Sequence, residues 1–275
     1  MNVTILSNLS ESFSNTPTMP ALFLGHGSPM NAIEENEFTR GFREVAKSLP
    51  SPNAILCISA HWFTRGTKVT AMELPPTIHD FGGFPKALYE VEYPAKGSPE
   101  LAVETKRILN PTLVELDEKW GLDHGAWSVI KHLYPQANIP VIQLSIDYTK
   151  PPSYHYELAQ KLNSLRQKGI LIIGSGNIIH NLRLADFANM HKDNYGYDWA
   201  IEARATINNY LAEGNYRPLI EYEKQAKAIQ FAIPTPEHYL PLIYTLGLQQ
   251  KKETIQLFND KLVGGSLSMT SIKIS

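Results

Sequence analysis

Short apolar runs of about five to seven residues alternate along the chain with longer stretches in which apolar positions recur every three or four residues. The first kind suits strands buried on both faces, and the second suits amphipathic helices. Strands are predicted over 20–24 (PALFL), 54–60 (AILCISA), 68–73 (KVTAME), 112–116 (TLVEL), 140–146 (PVIQLSI) and 170–174 (ILIIG). Helices are predicted over 36–48, 98–109, 124–133, 153–168, 197–212 and 236–246. Two helix starts are legible in detail. Ser98-Pro99-Glu100 and Thr235-Pro236-Glu237 each offer a capping hydroxyl, a proline for the first helical position and an acid for the first turn. The tail SLSMTSIKI alternates and reads as a last strand. This order predicts an α/β fold, a single domain with a central, mostly parallel sheet flanked by helices. The Pro- and Gly-rich segment MELPPTIHDFGGFPKALYEVEYPAKGSP, from Met72 to Pro99, reads as a loop that lines a site.

Composition narrows the function. With 275 residues, 43% of them hydrophobic and 19% charged, the chain buries a full core. A formal charge of -2 and the absence of Lys/Arg runs argue against nucleic acid and against an anionic membrane surface as partners. The single cysteine, Cys57, lies in an apolar run and reads as a buried, inert thiol, so neither a disulfide framework nor a multi-cysteine zinc site is available. Residues 1–18 lack the features of a signal peptide and no transmembrane run occurs, so they are read as a flexible tail on a cytoplasmic protein whose domain spans 19–275.

Nine histidines carry the candidate chemistry. His26, His61 and His180 each follow a predicted strand, which places them at the carboxyl edge of the sheet, where open α/β folds bind ligands. His238 falls in the first turn of the predicted 236–246 helix, whose dipole disfavours protonation and leaves the imidazole free to coordinate. Each alone is as readily a hydrogen-bonded structural residue; their convergence is what favours a metal. His79 and His124, flanked by Gly and Asp, suit a site and a turn equally, whereas His132, His155 and His191 read as helix or loop residues. The His155-x-Glu157 and His191-x-Asp193 spacings are read as solvated faces or loops rather than as the start of an iron-binding facial triad. No H-E-x-x-H and no G-x-S-x-G is present, and the GSGN at 174–177 is too short for a dinucleotide fingerprint.

The blocks MPALFLGHGSPMNAIE, ISAHWFTRGTKVTAMELPPTIHDFGGFPKALYEVEYPAKGSPELA, GLDHGAWSVIKHLYP, SGNIIHNL and IPTPEHYLPL resemble the class III extradiol ring-cleavage dioxygenases, specifically the DOPA 4,5-dioxygenase branch. The resemblance runs from about Met19 to the C-terminus. It implies an α/β catalytic domain holding one divalent metal ion, Fe(II) for activity and Zn(II) in purified material. It implies metal ligands at His26, His61 and His238, with His180 as a fourth ligand or an acid/base, and His124 as a second acid/base candidate. The substrates would be a catechol such as DOPA and O2, and the product a seco-amino acid that cyclises to a betalamic-acid-like pigment. Where protocatechuate-cleaving relatives place a glutamate, this chain has Glu237 beside His238. Neighbours in a helical turn point about 100° apart, so one ion does not take both. The matching branch implies His238, with Glu237 supporting it or capping the helix. His79, Trp62 and Tyr239 are expected to line the pocket, and Arg65 and Arg183 are candidates for a substrate carboxylate. Two other readings stay open here: a zinc-holding interaction protein without turnover, and a zinc-dependent hydrolase of small amides or esters.

Overall fold

The computed structural model describes residues 17–275, so most of the tail expected over 1–18 lies outside the described residues. A six-stranded sheet forms the centre. Its strands are β1 (Ala21–Gly25), β2 (Ala54–Ser59), β3 (Val141–Gln143), β4 (Ile170–Gly176), β5 (Ile255–Phe258) and β6 (Ser271–Ile274), in the order β3-β2-β4-β1-β6-β5. The first four run parallel, and β6 and β5 complete the sheet antiparallel. This is the expected fold class.

Helices cover both faces, which is why β1, β2 and β4 are buried at every position. Successive side chains feed alternate layers. Ala21, Phe23, Leu56 and Ile172 join one core with α4 (Pro152–Arg166), α5 (Asp198–Glu213) and α6 (Leu240–Gly247), while Leu22, Leu24, Cys57 and Ile173 join the other with α1 (Glu37–Lys47) and α3 (His124–Leu133). Cys57 is buried, as expected. The remaining long helix, α2 (Pro99–Ile108), starts as its sequence predicts, with Ser98 Oγ accepting the N–H of Leu101 at 3.2 Å.

Several boundaries differ from the prediction, for identifiable reasons. The run 140–146 is two strands: β3 ends at Gln143, and Ile146–Asp147 turns away to pair with Phe63–Thr64. The predicted strands near 68–73 and 112–116 form a separate parallel pair, Thr67–Thr70 with Val114–Asp117, beside the main sheet. The alternating tail breaks between Leu267–Ser268 and β6, because Met269 crosses directly over Gly25, where a Cβ would lie 2.7 Å from the Met269 carbonyl. Strand β5 has no counterpart in the prediction. The largest correction is at 236–246. Helix α6 begins only at Leu240, and Pro236 to Tyr239 form a turn in which the Pro236 carbonyl accepts the N–H groups of Tyr239 and Leu240. Thr235 does not cap a helix; its hydroxyl donates to Glu237 Oε1 at 2.6 Å. His238 therefore sits in a turn, not in a helical first turn, and the dipole argument for its neutrality does not apply.

Candidate metal centre

Strands β1, β2 and β4 end together. Gly25 pairs with Gly176 and Ser59 with Ser175, and the ladder continues one step further through His26 N–H to Gly176 O and Ala60 N–H to Ser175 O, both 3.0 Å. His26 and His61 thus leave the sheet at one edge. The turn carrying His238 is fastened over the end of β4, since its carbonyl accepts the Asn177 N–H at 2.9 Å. That approach needs Gly176, because a Cβ there would lie 2.1 Å from the His238 oxygen. His180 is placed by its N–H bond to the Ala232 carbonyl at 2.9 Å. His124 opens α3, whose first turn is capped by the Asp123 carboxylate.

These elements bring five imidazoles together. The ring centroids of His26, His61 and His238 form a nearly equilateral triangle, 5.1 Å for His26–His61, 5.3 Å for His26–His238 and 5.1 Å for His61–His238. His26 Nε2 and His61 Nε2 are 3.4 Å apart. Two nitrogens held at 2.0–2.1 Å from a tetrahedral ion are separated by about 3.3 Å, so this pair already has ligand spacing. His124 joins from one side, 3.9 Å from His61 and 5.8 Å from His26 between centroids. The ligand atoms of His26, His61 and His124 lie within 4.8 Å of one another, and so do those of His180, Glu237 and His238.

Hydrogen bonds decide which nitrogens face the centre. Ser175 Oγ lies 3.0 Å from His26 Nδ1 and spends its one hydrogen on the Gly125 carbonyl. His26 Nδ1 must therefore be the donor, which leaves the Nε2 lone pair free toward His61. Asp80 stands behind two other rings. Its Oδ1 accepts the backbone N–H of His124 at 2.8 Å and lies 3.0 Å from His124 Nδ1, and its Oδ2 lies 3.4 Å from His61 Nδ1. Glu237 Oε1 is 3.5 Å from His238 Nδ1.

Electrostatics keeps these groups ready for a cation. Burial, followed by repulsion from neighbouring imidazoles, holds His26 and His61 well below the ordinary histidine value. Burial likewise lowers His238, against the pull of Glu237, and takes His180 down to about 3. Burial raises Glu237, but bonds with His238 and Thr235 outweigh it and hold the carboxyl at about 2. Asp80 also ends below its usual range, because pairing with His124 outweighs its burial. The buried Nδ1 atoms of His124 and His238 make no aligned hydrogen bond. Buried imidazoles whose ligand nitrogens lie within 4.8 Å of one another fit a divalent transition metal.

The other sequence candidates separate from this centre. His79 donates to or accepts from nothing in the cluster; its Nε2 lies 2.9 Å from the Val91 carbonyl and its ring packs on Trp127. Trp62 and Tyr239, expected in the pocket, are core residues: Trp62 stacks on Trp120 at 5.9 Å, and the buried Tyr239 hydroxyl donates to Leu219 O. Arg65 and Arg183 are exposed, as is His191 in its loop. His132 is held by the Asn31 carbonyl at 2.6 Å. His155 is not on a solvated face. It is fully buried in α4 with Nδ1 3.0 Å from the Tyr244 hydroxyl, because its face of the helix packs on α6. The sequence reading also passed over Asp80, Ser175 and the buried Asp123, which accepts Ser59 Oγ at 2.6 Å and Gln143 Nε2 at 2.7 Å. Only the Asp beside His79 in a Gly-rich loop hinted at Asp80.

The buried His155 carries a pH prediction. Burial lowers it from 6.5 to about 4, so between those values the unfolded chain binds the extra proton. Stability is therefore intact above pH 6.5 and falls as pH drops toward 4, by up to about 3 kcal/mol from this group. Denaturant titrations of the metal-free protein across that window check it, and His155→Gln is expected to flatten the acid limb.

Over residues 17–266 the chain matches the family described as catalytic LigB subunit of aromatic ring-opening dioxygenase. It is 50% identical over 260 residues to an Escherichia coli K12 protein named 4,5-DOPA dioxygenase extradiol, covering 93% of this chain and 94% of that one. A Beta vulgaris protein of the same name is 37% identical over 260 residues, covering 92% and 95%. The crystal structure of an uncharacterized protein from Escherichia coli K12 superposes with a TM-score of 0.80 at 44% identity, over 94% of this chain and 100% of that one.

Proposed function

The chain belongs to the family of catalytic LigB subunits of aromatic ring-opening dioxygenases and is an extradiol ring-cleavage enzyme, and from that premise we propose that it opens DOPA, or a catechol closely like it, by 4,5-extradiol cleavage with O2. The product would be a seco-amino acid. His26, His61 and His238 would hold the resident Fe(II), and the observation that carries this assignment is their near-equilateral arrangement with the free Nε2 of His26 facing Nε2 of His61. Three protein ligands leave positions for both catechol oxygens and for O2. Iron supplies the electron transfer between catecholate and dioxygen; zinc on the same donors has no redox step.

The surrounding side chains handle protons and exclude water. His180 stacks on His238 with the rings 3.6 Å apart and within 10° of parallel. Rings stacked this way direct their in-plane lone pairs along two parallel, offset planes rather than at one common point. This favours His180 as acid/base over His180 as a fourth ligand. Its basicity, lowered by burial, would rise beside an anionic catecholate, which suits a group that must take a catechol proton and later return one. His124 is the second proton carrier. Glu237, beside Nδ1 of His238, orients that ligand rather than competing for the ion. The near-complete burial of His26 and His124 keeps bulk water from the reacting centre.

The test is to load metal-free protein with Fe(II) under anaerobic conditions, add DOPA, admit air, and follow oxygen uptake and yellow product. Uptake matched to product supports the reading; none with DOPA or other catechols at full iron occupancy overturns it. His180→Gln is expected to keep its iron and lose about 10²- to 10⁴-fold in kcat. Loss of iron in that variant would instead make His180 a ligand.

A further inference from the structure

The Pro- and Gly-rich segment contributes one carboxylate to the centre, and among the described residues it forms no ion pair with a Lys or Arg. Asp80 is half-buried, and its two oxygens are divided between two rings: Oδ2 lies 3.4 Å from Nδ1 of His61, and Oδ1 lies 3.0 Å from Nδ1 of His124 while accepting that residue's backbone N–H at 2.8 Å. His61 and His124 come from different elements, the end of β2 and the start of α3, yet their rings are only 3.9 Å apart. Nothing in the backbone ladder of either element sets the rotation of these rings. Asp80 does.

We propose that Asp80 is the positioning residue of the metal centre, a single carboxylate that fixes both His61 and His124 as Nδ1–H tautomers. This rests on the reading of the cluster as a metal centre. The physical reason is charge. A lone pair on either Nδ1 would lie 3.0 or 3.4 Å from an anionic oxygen, whereas a proton there is attracted at that distance even without an aligned hydrogen bond, so the proton sits on Nδ1 and the lone pair on Nε2. For His61 that lone pair is the one directed at His26 Nε2, 3.4 Å away. For His124 it leaves an acceptor on the side of the ring away from Asp80. His26 receives the same treatment from a neutral relay, Ser175 and the Gly125 carbonyl, so its tautomer does not depend on Asp80. That independence makes the proposal selective: removing both carboxylate oxygens at 80 should scramble two rings and spare the third.

Asp80→Asn keeps the volume and the acceptor for the His124 N–H while removing the charge. In metal-free protein labelled with ¹⁵N-histidine, the imidazole nitrogen shifts of His61 and His124 report their tautomers directly. The expected result is Nδ1–H for both in the parent protein, Nε2–H for His61 in Asp80→Asn, whose amide NH2 then faces His61 Nδ1, a mixed population for both rings in Asp80→Ala, which removes both acceptors, and no change at His26. Competition titration with Zn(II), which needs no catechol and no turnover, should show metal affinity about 10- to 100-fold weaker in Asp80→Asn, with Asp80→Glu recovering part of it. Unchanged tautomers, or Zn(II) affinity within about twofold of the parent, overturns the proposal, and so does loss of the fold in Asp80→Asn, which would make Asp80 a scaffold residue. Failure of the catechol reading leaves these measurements intact, because none of them uses substrate.

Discussion

Replacing His26 by alanine is expected to abolish metal binding, lowering bound metal from one ion per chain to below about 0.1 and oxygen uptake by at least about 10³-fold. His26 is only 2% exposed and forms one corner of the triangle, with centroids 5.1 Å from His61, 5.3 Å from His238 and 5.8 Å from His124. It is also the ring whose free nitrogen is unambiguous, since the single hydrogen of Ser175 is spent on Gly125. Two remaining imidazoles offer an ion too few donors to offset the loss of its hydration. Metal analysis of the dialysed variant, beside an oxygen-electrode assay, checks both figures. His191→Ala is the matched comparison, because His191 is exposed in its loop and should leave metal content unchanged. A His26→Ala protein that keeps one ion per chain would remove His26 from the ligand set.

The largest effect on stability is expected at the opposite edge of the sheet. The Arg166 side chain is fully buried at the end of α4, where it pairs with both oxygens of Glu253 and donates to the carbonyls of Met19 at 2.7 Å and Leu248 at 2.6 Å. One guanidinium thereby joins the lead-in to β1, the end of α4, the end of α6 and the turn before β5. Glu253→Gln leaves a buried cation without its counter-charge, which costs about 3–5 kcal/mol and lowers the thermal midpoint by roughly 10 °C. Calorimetry of the metal-free protein measures it. Arg166→Met combined with Glu253→Leu is expected to recover much of the loss, since two apolar groups need no partner. Metal content should stay at the parent level in both, because the pair sits at the amino ends of β1 and β4 and the histidines at their carboxyl ends. A shift under about 2 °C for Glu253→Gln would contradict the reading.

Much of the centre was legible before any coordinates. His26, His61 and His180 each follow an apolar run, and in a parallel sheet the ends of such runs converge, so an edge shared by three histidines follows from pattern alone. Ser98 announced its helix because a capping hydroxyl acts on the residues next to it. His238 joins the candidates through its place at an expected helix start, and that local structure differs: Thr-Pro-Glu has the form of a helix start, and the close contact of the His238 carbonyl with Gly176 and Asn177 holds those residues in a turn instead. His155 was misplaced for a similar reason. Its helix carries polar residues around much of its surface, and only the packing of α6 shows which side is inside. Trp62 and Tyr239, expected to line the pocket, are buried in packing, because residues adjacent on a strand end or turn point in different directions from the histidines beside them.

The amino-acid sequence by itself determined the fold class, the edge at which the chemistry sits and the residue types available there, because these depend on local periodicity and on rules that every parallel sheet obeys. Only the tertiary structure decided which nitrogen of each imidazole faces the centre, that Asp80 stands behind two rings and Ser175 behind a third, and that His180 lies flat on His238. Those facts turn on ångström separations between segments remote in the chain. Tautomer, ligand spacing and proton transfer all depend on distances at that scale, which no local pattern encodes.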